Sequence, residues 1–359
     1  MKVLYLYFNF KIKSGGTVAA KRNLDVLRQY YGADNIIEYP IERKGNPSKL
    51  RMLFGDFRNC SFGGLNSSDK KEIIDLIKRN DVKLLFLDSS LLGAIATYVK
   101  KRVDIKVITF FHNVEYDFVK IQVTYDKAYL LYYRILFALY NEKAAMKSSD
   151  VVVALNKKDS VGLKDVYGRG ADYIIPITMK DVGHVNNEQN YNKPLKLLFF
   201  GSYFPANVEA VDILVRDILP QTNALLTVAG SGMEQLKDKY SEVDNLTLRG
   251  YVDSLSDLYE EADVVVLPIK SGSGMKVKMA EAMMYGKNVL ASDVALEGYD
   301  VDGVSGIIRC NSVSDFIRNI NEYDYKLPKY NNSVRTLFLN QYSYEVSYKL
   351  FERIFERLM

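Results

Sequence analysis

The sequence predicts an α/β protein with two domains, each built on a parallel sheet covered by helices. The chain has 359 residues, of which 48% are apolar, and this is enough to form two hydrophobic cores. Short apolar runs alternate with helical patterns along almost the whole chain, which is typical of parallel strands joined by crossover helices. The alternation starts again at Leu195, after a polar, Asn-rich segment over residues 180–194.

The first half starts with a strand over residues 2–7, and the segment 14–17 (Ser-Gly-Gly-Thr) is a turn that leads into a helix. Later strands are predicted at residues 36–39, 82–87, 106–111, 150–155 and 173–177. Helices are predicted at residues 71–78, 94–99, 125–147 and 157–167. The continuous apolar character of residues 82–87 is that of a parallel strand buried on both faces.

The second half repeats this order. Strands are predicted at residues 195–200, 224–229, 246–250, 264–267, 288–291 and 305–308. Helices are predicted at residues 208–219, 233–240 and 255–261, from about residue 275, and at 342–358. Two such units in tandem predict two Rossmann-like domains that face each other across a cleft. The first comprises residues 1–178 with the last helix, 342–359, packed back on it, and the second comprises residues 179–341.

The segment 271–287 follows a buried strand and predicts a phosphate-binding turn. Gly272 and Gly274 allow the backbone to approach an anion, and a helix that begins near Met275 offers its free N–H groups to the same anion. Lys276 and Lys278 add positive charge at a helix end that usually favours acidic residues. The alternative is an ordinary turn between a strand and a helix, with two solvated lysines.

Further along the same helix, Glu281 is placed to contact a group beyond the phosphates. A carboxylate can accept two hydrogen bonds from a vicinal diol such as that of a ribose.

Two features of the first half also fall at strand ends, where open α/β sheets bind ligands. His112, one of two histidines, follows the strand over residues 106–111. Gly15 and Gly16 follow the first strand. A structural histidine and a plain connection between a strand and a helix are the alternatives.

The charge of the chain is uneven. Residues 1–178 contain 29 Lys and Arg against 19 Asp and Glu, whereas the remainder contains 19 against 25. Without a nucleic-acid-binding module, this basic half indicates a phosphate-bearing substrate or an anionic membrane surface, although uneven charge without a partner is an alternative. The segment 43–58 mixes basic with apolar residues and suits a bilayer surface, or else a helix packed on the core.

No leader peptide or membrane-spanning segment is expected, and two distant cysteines, Cys60 and Cys310, favour a reducing compartment. Two motifs are expected to be coincidental. Gly230-Ser-Gly232 lacks the third glycine of a dinucleotide-binding fingerprint. Asp300-Val-Asp302 has the form of a metal-binding Asp-x-Asp motif but falls late in the chain.

Taken together, the segment 272–287, the segment 291–298 (Ala-Ser-Asp-Val-Ala-Leu-Glu-Gly), Phe200-Gly-Ser, Gly250-Tyr-Val-Asp and His112-Asn-Val-Glu resemble GT-B glycosyltransferases. The closest group is retaining family 4, especially its bacterial polysaccharide-forming members. This resemblance implies transfer of a sugar from a nucleotide-diphosphate sugar to an acceptor, and does not itself give the base or the acceptor. We expect UDP in preference to GDP. The basic first half and the segment 43–58 indicate a glycan or a lipid-diphosphate-linked glycan as acceptor and a cytoplasmic protein at the inner face of the membrane. No metal, resident cofactor or nucleic-acid partner is expected.

The resemblance also implies roles for individual residues. Glu281 matches the glutamate that binds the ribose, and residues 271–278 match the loop around the sugar and the diphosphate. His112 matches the histidine near the donor sugar, Gly16 the glycine turn by the phosphates, and Val252 the backbone position near the base. We expect His112, Lys276 and Lys278 to be catalytic. The expected donor-binding residues are Gly15, Gly16, Ser202, Val252, Gly272, Ser273, Gly274, Met275 and Glu281.

Two departures from the family pattern leave other functions open. Ser273 stands where the first of two paired glutamates is expected, and Ser202 and Asn207 lie where many members carry Arg and Lys. Lys276 and Lys278 are expected to supply the missing charge. The alternatives are a non-catalytic GT-B homologue that binds peptide or glycan and supports a partner transferase, and a nucleotide-sugar epimerase, for which the sequence lacks an evident set of acid and base carboxylates.

Overall fold

The structure is a computed structural model that describes residues 1–9, 15–42, 54–55, 57, 65–125, 132–183, 194–272, 274–323 and 327–359. The chain divides into two compact units. The first unit comprises Met1–Ile177 and Ser347–Met359, and the second comprises Thr178–Val346. The division of roles between the two predicted domains, acceptor in the first and nucleotide sugar in the second, stays a prediction.

The first unit contains a six-stranded parallel sheet in the order β2-β1-β3-β4-β5-β6. Its strands are β1 (Lys2–Phe8), β2 (Ile36–Ile41), β3 (Val82–Leu87), β4 (Lys106–Phe111), β5 (Val151–Ala154) and β6 (Tyr173–Ile174). Its helices are α1 (Gly15–Tyr31), α2 (Ser67–Asn80), α3 (Gly93–Lys100), α4 (Glu115–Tyr125), α5 (Tyr133–Ser148) and α6 (Lys157–Tyr167).

The second unit contains another six-stranded parallel sheet, in the order β12-β11-β10-β7-β8-β9. Its strands are β7 (Lys196–Phe200), β8 (Leu225–Ala229), β9 (Leu246–Arg249), β10 (Val264–Leu267), β11 (Asn288–Ala291) and β12 (Ile307–Arg309). Its helices are α7 (Pro205–Ile213), α8 (Leu255–Glu261), α9 (Val277–Met284), α10 (Val313–Asn321) and α11 (Asn332–Leu337), and α12 (Tyr344–Leu358) ends the chain. The predicted fold class, α/β with two parallel sheets, is confirmed.

The strand order predicts a crevice at the carboxyl edge of each sheet. β1 lies between β2 and β3, and β7 lies between β8 and β10. The order in which the strands follow one another across each sheet therefore reverses beside β1 and beside β7. At such a reversal the helices on either side diverge and leave room for a ligand. The loops after β1 and β3, and those after β7 and β10, are therefore where each unit can bind one.

The last helix, α12, contributes aromatic rings to the core of the first unit. Phe351 packs against Phe86 and Phe110, with ring centroids 6.1 and 6.4 Å apart, and Phe355 packs 5.0 Å from Tyr30. Phe351 and Phe355 are almost completely buried. Burial of two such rings contributes several kcal/mol, so the first unit depends on residues from both ends of the chain.

Helix α3 packs very closely on α5 in the first unit. A Cβ atom added at Gly93 would lie 2.0 Å from the carbonyl oxygen of Asn141 and 2.5 Å from the amide nitrogen of Ala145. The backbone N–H of Ala94 donates to the Asn141 side chain at 3.2 Å. Gly93 is therefore the residue that lets the two helix backbones touch.

Two helix predictions differ from the structure. Of the helix predicted over residues 125–147, residues 133–147 belong to α5, residue 132 lies in a turn, residue 125 ends α4, and residues 126–131 lie outside the described residues. Helix α4, whose N-terminus is stabilised by Glu142 across 27 residues, was not predicted. The helix predicted over residues 233–240 forms two short 3-10 turns, Met233–Leu236 and Asp238–Tyr240. Gly232, with φ of 84°, turns the chain just before the first of them, so the entry is a tight turn rather than a helix cap.

Candidate functional site

The glycine turn of the second unit connects β10 to α9. Gly272 and Gly274 have φ angles of 111° and 71°, which L residues with a side chain rarely adopt. Helix α9 begins at Val277, two residues later than predicted, because Lys276 is still extended with φ of −91° and ψ of 112°. Met275 is buried in the loop with 5% of its surface exposed. The turn thus presents backbone at the start of α9.

The Lys276 side chain folds back on this turn. Its ammonium group donates to the carbonyl oxygens of Gly274, at 2.6 Å, and Gly272, at 3.3 Å. The carbonyl oxygen of Lys276 accepts from the Tyr299 hydroxyl at 2.7 Å. These contacts hold the turn in one shape and place a positive charge within it.

Lys278 extends from α9 to the first turn of α7, which follows β7. Its ammonium group donates to Oδ1 of Asn207 at 2.5 Å and lies 4.5 Å from the centroid of the Phe199 ring. The Asn207 side chain also donates to the carbonyl oxygen of Ser202 at 2.8 Å, which ties this exposed serine to the same group. A cation from α9 therefore reaches the end of β7.

Burial alters the charge state of Lys278. It lowers the pKa of the ammonium group to about 7; the nearby Glu281 raises it and Lys276 lowers it further. A bound anion stabilises a buried ammonium ion that has few strong acceptors more than it stabilises a solvated ammonium ion. Lys278 is accordingly suited to bind a diphosphate.

Glu281 lies one turn after Lys278 on α9 and is half-buried. Burial raises its pKa to about 7, against the opposing effects of Lys278 and Tyr259. The Tyr259 hydroxyl is buried next to it without a hydrogen bond of ordinary geometry to any residue that the structure describes. Glu281 and Lys278 therefore titrate together near neutral pH.

Glycines bring the neighbouring loops close together at the sheet edge. A Cβ at Gly201 would lie 2.8 Å from the Lys278 nitrogen, and a Cβ at Gly230 would lie 2.1 Å from the carbonyl oxygen of Gly201. Gly230 has φ of 139°, and its N–H donates to the Gly250 carbonyl oxygen at 3.1 Å. The Gly230-Ser-Gly232 motif thus packs backbone against backbone.

Most predicted residues of the second unit share this edge. Ser202, Gly272, Gly274, Met275, Lys276, Lys278 and Glu281 lie after β7 or between β10 and the middle of α9. Val252 is half-buried in the loop after β9, two strands away from β7 in the sheet. Ser273 lies outside the described residues.

In the first unit, His112 follows β4 and contacts Asp88, which follows β3. Its Nε2 lies 2.9 Å from the carbonyl oxygen and 3.3 Å from the Oδ2 of Asp88, and the side chain of Asn23 donates to Oδ1 at 2.7 Å. Burial disfavours the charged ring, but Asp88 outweighs this and raises the pKa of His112. The contact with a carbonyl oxygen requires that Nε2 carries a proton, so in the neutral ring Nδ1 is the nitrogen without a proton. Nδ1 has no hydrogen-bond partner among the described residues.

The loop that carries His112 is held by Glu142, which is fully buried on α5. Its carboxylate accepts hydrogen bonds from the backbone N–H groups of Glu115 and Tyr116, both at 2.9 Å, from the Tyr167 hydroxyl at 2.7 Å and from Ser90 at 3.1 Å. Burial raises the pKa of Glu142 despite these donors. Burial, and then the charge of Glu142, raise the pKa of Glu115 to about 7.

Gly15 and Gly16 are the first two residues of α1. They lie in the first turn of the helix rather than in a separate turn before it, because the helical backbone begins at Gly15. His112, Gly15 and Gly16 belong to the first unit and the other predicted site residues to the second, and the roles of all of them stay predictions.

The Asp-x-Asp motif takes part in ion pairing. The Asp302 carboxylate lies 2.6 Å from Arg309, which also pairs with Asp293 at 2.6 Å. Within the described parts of the chain, no three His, Cys, Asp or Glu side chains come together to form a metal site. Cys310 is buried and free, and Cys60 lies outside those parts.

Reasoning from the sequence missed Asn23, Asp88 and Glu142, and it named Asn207 only as a departure from the family pattern and not as a partner of Lys278. Asp88 directly follows β3 and could have been found by the rule that singled out His112. Asn207 and Glu142 make contacts across 71 and 27 residues, so no local pattern marks them. Of the segment 43–58, the structure describes only residues 54, 55 and 57.

Residues 194–323 match the family model described as glycosyl transferases group 1. The match begins just before β7, ends after α10 and includes the whole of the glycine turn and α9. This part of the chain is therefore a glycosyl transferases group 1 domain. No curated protein matches the chain at a significant level.

Solved structures resemble the chain over its whole length. Sucrose-phosphate synthase from Thermosynechococcus elongatus is 15% identical, with a TM-score of 0.73, and the match covers 100% of this chain and 99% of that one. Anabaena HepE in complex with UDP and glucose is 10% identical, with a TM-score of 0.67 and 99% of each chain covered. The lipopolysaccharide outer core galactosyltransferase WaaB is 13% identical, with a TM-score of 0.67 and 99% and 100% covered. These likenesses establish the GT-B fold.

Proposed function

We propose that the chain is a retaining glycosyltransferase that resembles family 4 and uses a nucleotide-diphosphate sugar as donor. The observation that carries the proposal is the edge of the second sheet, where a glycine turn and two lysines are followed by Glu281 within the group 1 domain. UDP is the proposed nucleotide, and the complex of Anabaena HepE with UDP supports this choice. The transferred group is proposed to be a hexose.

The proposed chemistry needs no nucleophile from the protein. The leaving diphosphate is stabilised by the N–H groups at the start of α9 and by Lys276 and Lys278, and this lowers the barrier to breaking the glycosidic bond. One diphosphate oxygen takes the proton of the acceptor hydroxyl on the face that the leaving group vacates, so that the anomeric configuration is retained. Glu281 holds the ribose and His112 orients the sugar. The mechanism is metal-independent.

The proposed acceptor is a glycan or a lipid-linked glycan in cell-surface polysaccharide synthesis, at the cytoplasmic face of the membrane. The excess of basic residues in residues 1–178 supports an acceptor that carries phosphate. The similarity to WaaB, a galactosyltransferase of the lipopolysaccharide outer core, supports a surface glycan as the acceptor.

A thermal-shift panel of UDP, GDP, ADP and their sugars tests donor binding, because only ligands of the folded state raise the melting temperature. We expect UDP and at least one UDP-sugar to raise it. Hydrolysis or transfer of that sugar is then followed by NMR, which also reports the anomeric configuration. Absence of any shift across the panel would contradict the proposal.

A second candidate function is a non-catalytic GT-B homologue that supports a partner transferase. The observation that favours it is the Lys276 ammonium group, which is bound to carbonyl oxygens of its own loop. If this arrangement persists with the nucleotide bound, the protein will bind UDP but neither hydrolyse nor transfer its sugar. Turnover by the purified protein distinguishes the two functions.

A further inference from the structure

Helix α5 of the first unit has an apolar stripe on its outer face. Tyr132, just before the helix, Leu136 and Tyr140 are 44%, 67% and 53% exposed. They recur every four residues and so lie on one side of the helix. The stripe continues with Lys143 and Lys147, both exposed. The outer face of α5 is therefore apolar in its first half and basic in its second.

Two further rings extend the apolar part. Phe54 and Phe57 are 70% and 53% exposed and have helical backbone three residues apart. The Phe57 ring lies 5.5 Å from that of Tyr133 and 5.1 Å from that of Phe137, both on α5. We call Phe54, Phe57, Tyr132, Leu136 and Tyr140 the α5 apolar face.

Such a grouping of large apolar side chains requires a partner, because exposed apolar residues are normally scattered singly. Its composition indicates which partner. Tyr and Phe beside Lys are the residues that occupy the boundary between lipid headgroups and acyl chains. The unit that carries the face has ten more basic than acidic residues over residues 1–178.

This charge also argues against a second copy of the chain as the partner. Two copies that met through the face would bring Lys143 and Lys147 of one close to the equally basic surface of the other. An anionic bilayer instead gains about 1 kcal/mol per lysine near its surface, which is about fivefold in affinity. No helix of the described residues is long and apolar enough to cross a bilayer, so attachment would be at the surface.

We propose that the α5 apolar face inserts into the headgroup region of an anionic phospholipid bilayer, with Lys143 and Lys147 contacting lipid phosphates. The proposal rests on the proposed function only in its consequence, that the acceptor is presented at the bilayer surface. Binding to the bilayer itself does not depend on sugar transfer.

The test is co-sedimentation of the full chain with vesicles of phosphatidylcholine alone or mixed equally with phosphatidylglycerol. We expect binding to the mixed vesicles only. The variant Leu136→Glu/Tyr140→Glu is expected to lose at least tenfold in affinity, because two carboxylates would have to enter the headgroup region. The variant Lys143→Gln/Lys147→Gln is expected to lose about 25-fold, at fivefold per lysine.

Val161→Glu is the matched control, because Val161 is 57% exposed on α6 in the same unit. It is expected to bind as the wild type does. Circular dichroism confirms folding, and the UDP-induced thermal shift, which concerns the second unit, is expected in every variant. If UDP caused no thermal shift even in the wild type, this result would count against the proposed function and not against the bilayer contact.

Three results would overturn the proposal. The first is no sedimentation of the wild type with anionic vesicles. The second is equal binding by the Leu136→Glu/Tyr140→Glu variant. The third is a wild-type dimer in analytical ultracentrifugation that this variant dissociates, since a second copy would then cover the face.

Discussion

If UDP binds at the start of α9 as proposed, we expect Lys278 to make the affinity for UDP depend on pH. Burial lowers its pKa to about 7, so half of the molecules carry an uncharged amine at pH 7 and about 1% carry the ammonium at pH 9. A bound diphosphate favours the ammonium and raises its pKa again. If the pKa of the complex lies above 9, the Kd for UDP rises about 50-fold from pH 7 to pH 9, or about 2.3 kcal/mol.

Other ionisable groups alter the affinity for UDP only slightly between pH 7 and pH 9. The phosphates of UDP are fully ionised above pH 7, since a terminal phosphate has a pKa near 6. Glu281, with a pKa of about 7, goes from half to fully ionised, which improves its ribose contact by at most about twofold and opposes the effect of Lys278.

Isothermal titration calorimetry of UDP binding at pH 7, 8 and 9, in buffers of different ionisation enthalpy, measures both the Kd and the number of protons taken up on binding. We expect net proton uptake near zero at pH 7, where Lys278 takes up about half a proton and Glu281 releases about half, and net uptake that rises towards one proton at pH 9. Lys278→Arg should flatten the pH dependence, because arginine stays charged. Lys270→Ala, which removes an exposed lysine before the same turn, should leave it unchanged. A flat profile for the wild type, or a steep one for Lys278→Arg, would refute the reasoning.

Three further predictions concern binding and stability. Glu281→Gln should weaken UDP binding by about 10- to 100-fold through loss of a charged acceptor for the ribose, with an unchanged circular dichroism spectrum; unaltered affinity in calorimetry would count against the ribose contact. Gly93→Ala should lower the free energy of unfolding in urea by about 2–4 kcal/mol, because its methyl group would lie 2.0 Å from the Asn141 carbonyl oxygen. The control Gly162→Ala, whose methyl group would lie 3.2 Å from a side chain, should lower it much less. Equal losses would contradict the close packing at Gly93. Burial raises the pKa of Glu115 to about 7, so the folded state binds more protons than the unfolded state between pH 4.5 and 7, and this carboxyl destabilises the folded state as the pH rises. Glu115→Gln should therefore stabilise the chain by about 1–3 kcal/mol at pH 8 and by little at pH 5. A stabilisation that does not depend on pH would show that the charge of Glu115 is not responsible.

The fold was predictable because local patterns and global architecture agree. β5 and β10 are short strands in which every residue is buried, and a continuous apolar run between helices has this meaning in parallel sheets. Helix α4 escaped prediction because its start depends on the Glu142 carboxylate. Its acidic first turn, with Glu115 and Asp117, was the local signal available.

The sequence predicts which residues lie together at the edge of the second sheet better than it predicts their contacts. Glycines and lysines after a buried strand predict an anion-binding turn, and the structure places them between β10 and α9. The anion itself stays a prediction. The sequence does not show that Lys276 turns back on the loop while Lys278 reaches Asn207. Which of the two lysines at the start of α9 meets which group depends on how the segments after β7 and β10 pack against each other, and residues distant in sequence determine this packing.

We propose above all that a nucleotide diphosphate binds at the start of α9. The most direct measurement is a crystal structure of the chain soaked with the UDP-sugar that gives the largest thermal shift. We predict phosphate oxygens within hydrogen-bond distance of the backbone N–H groups of the glycine turn and of the Lys278 ammonium group, and ribose hydroxyls on Glu281. A nucleotide bound elsewhere, or a turn filled by protein atoms, would contradict the account.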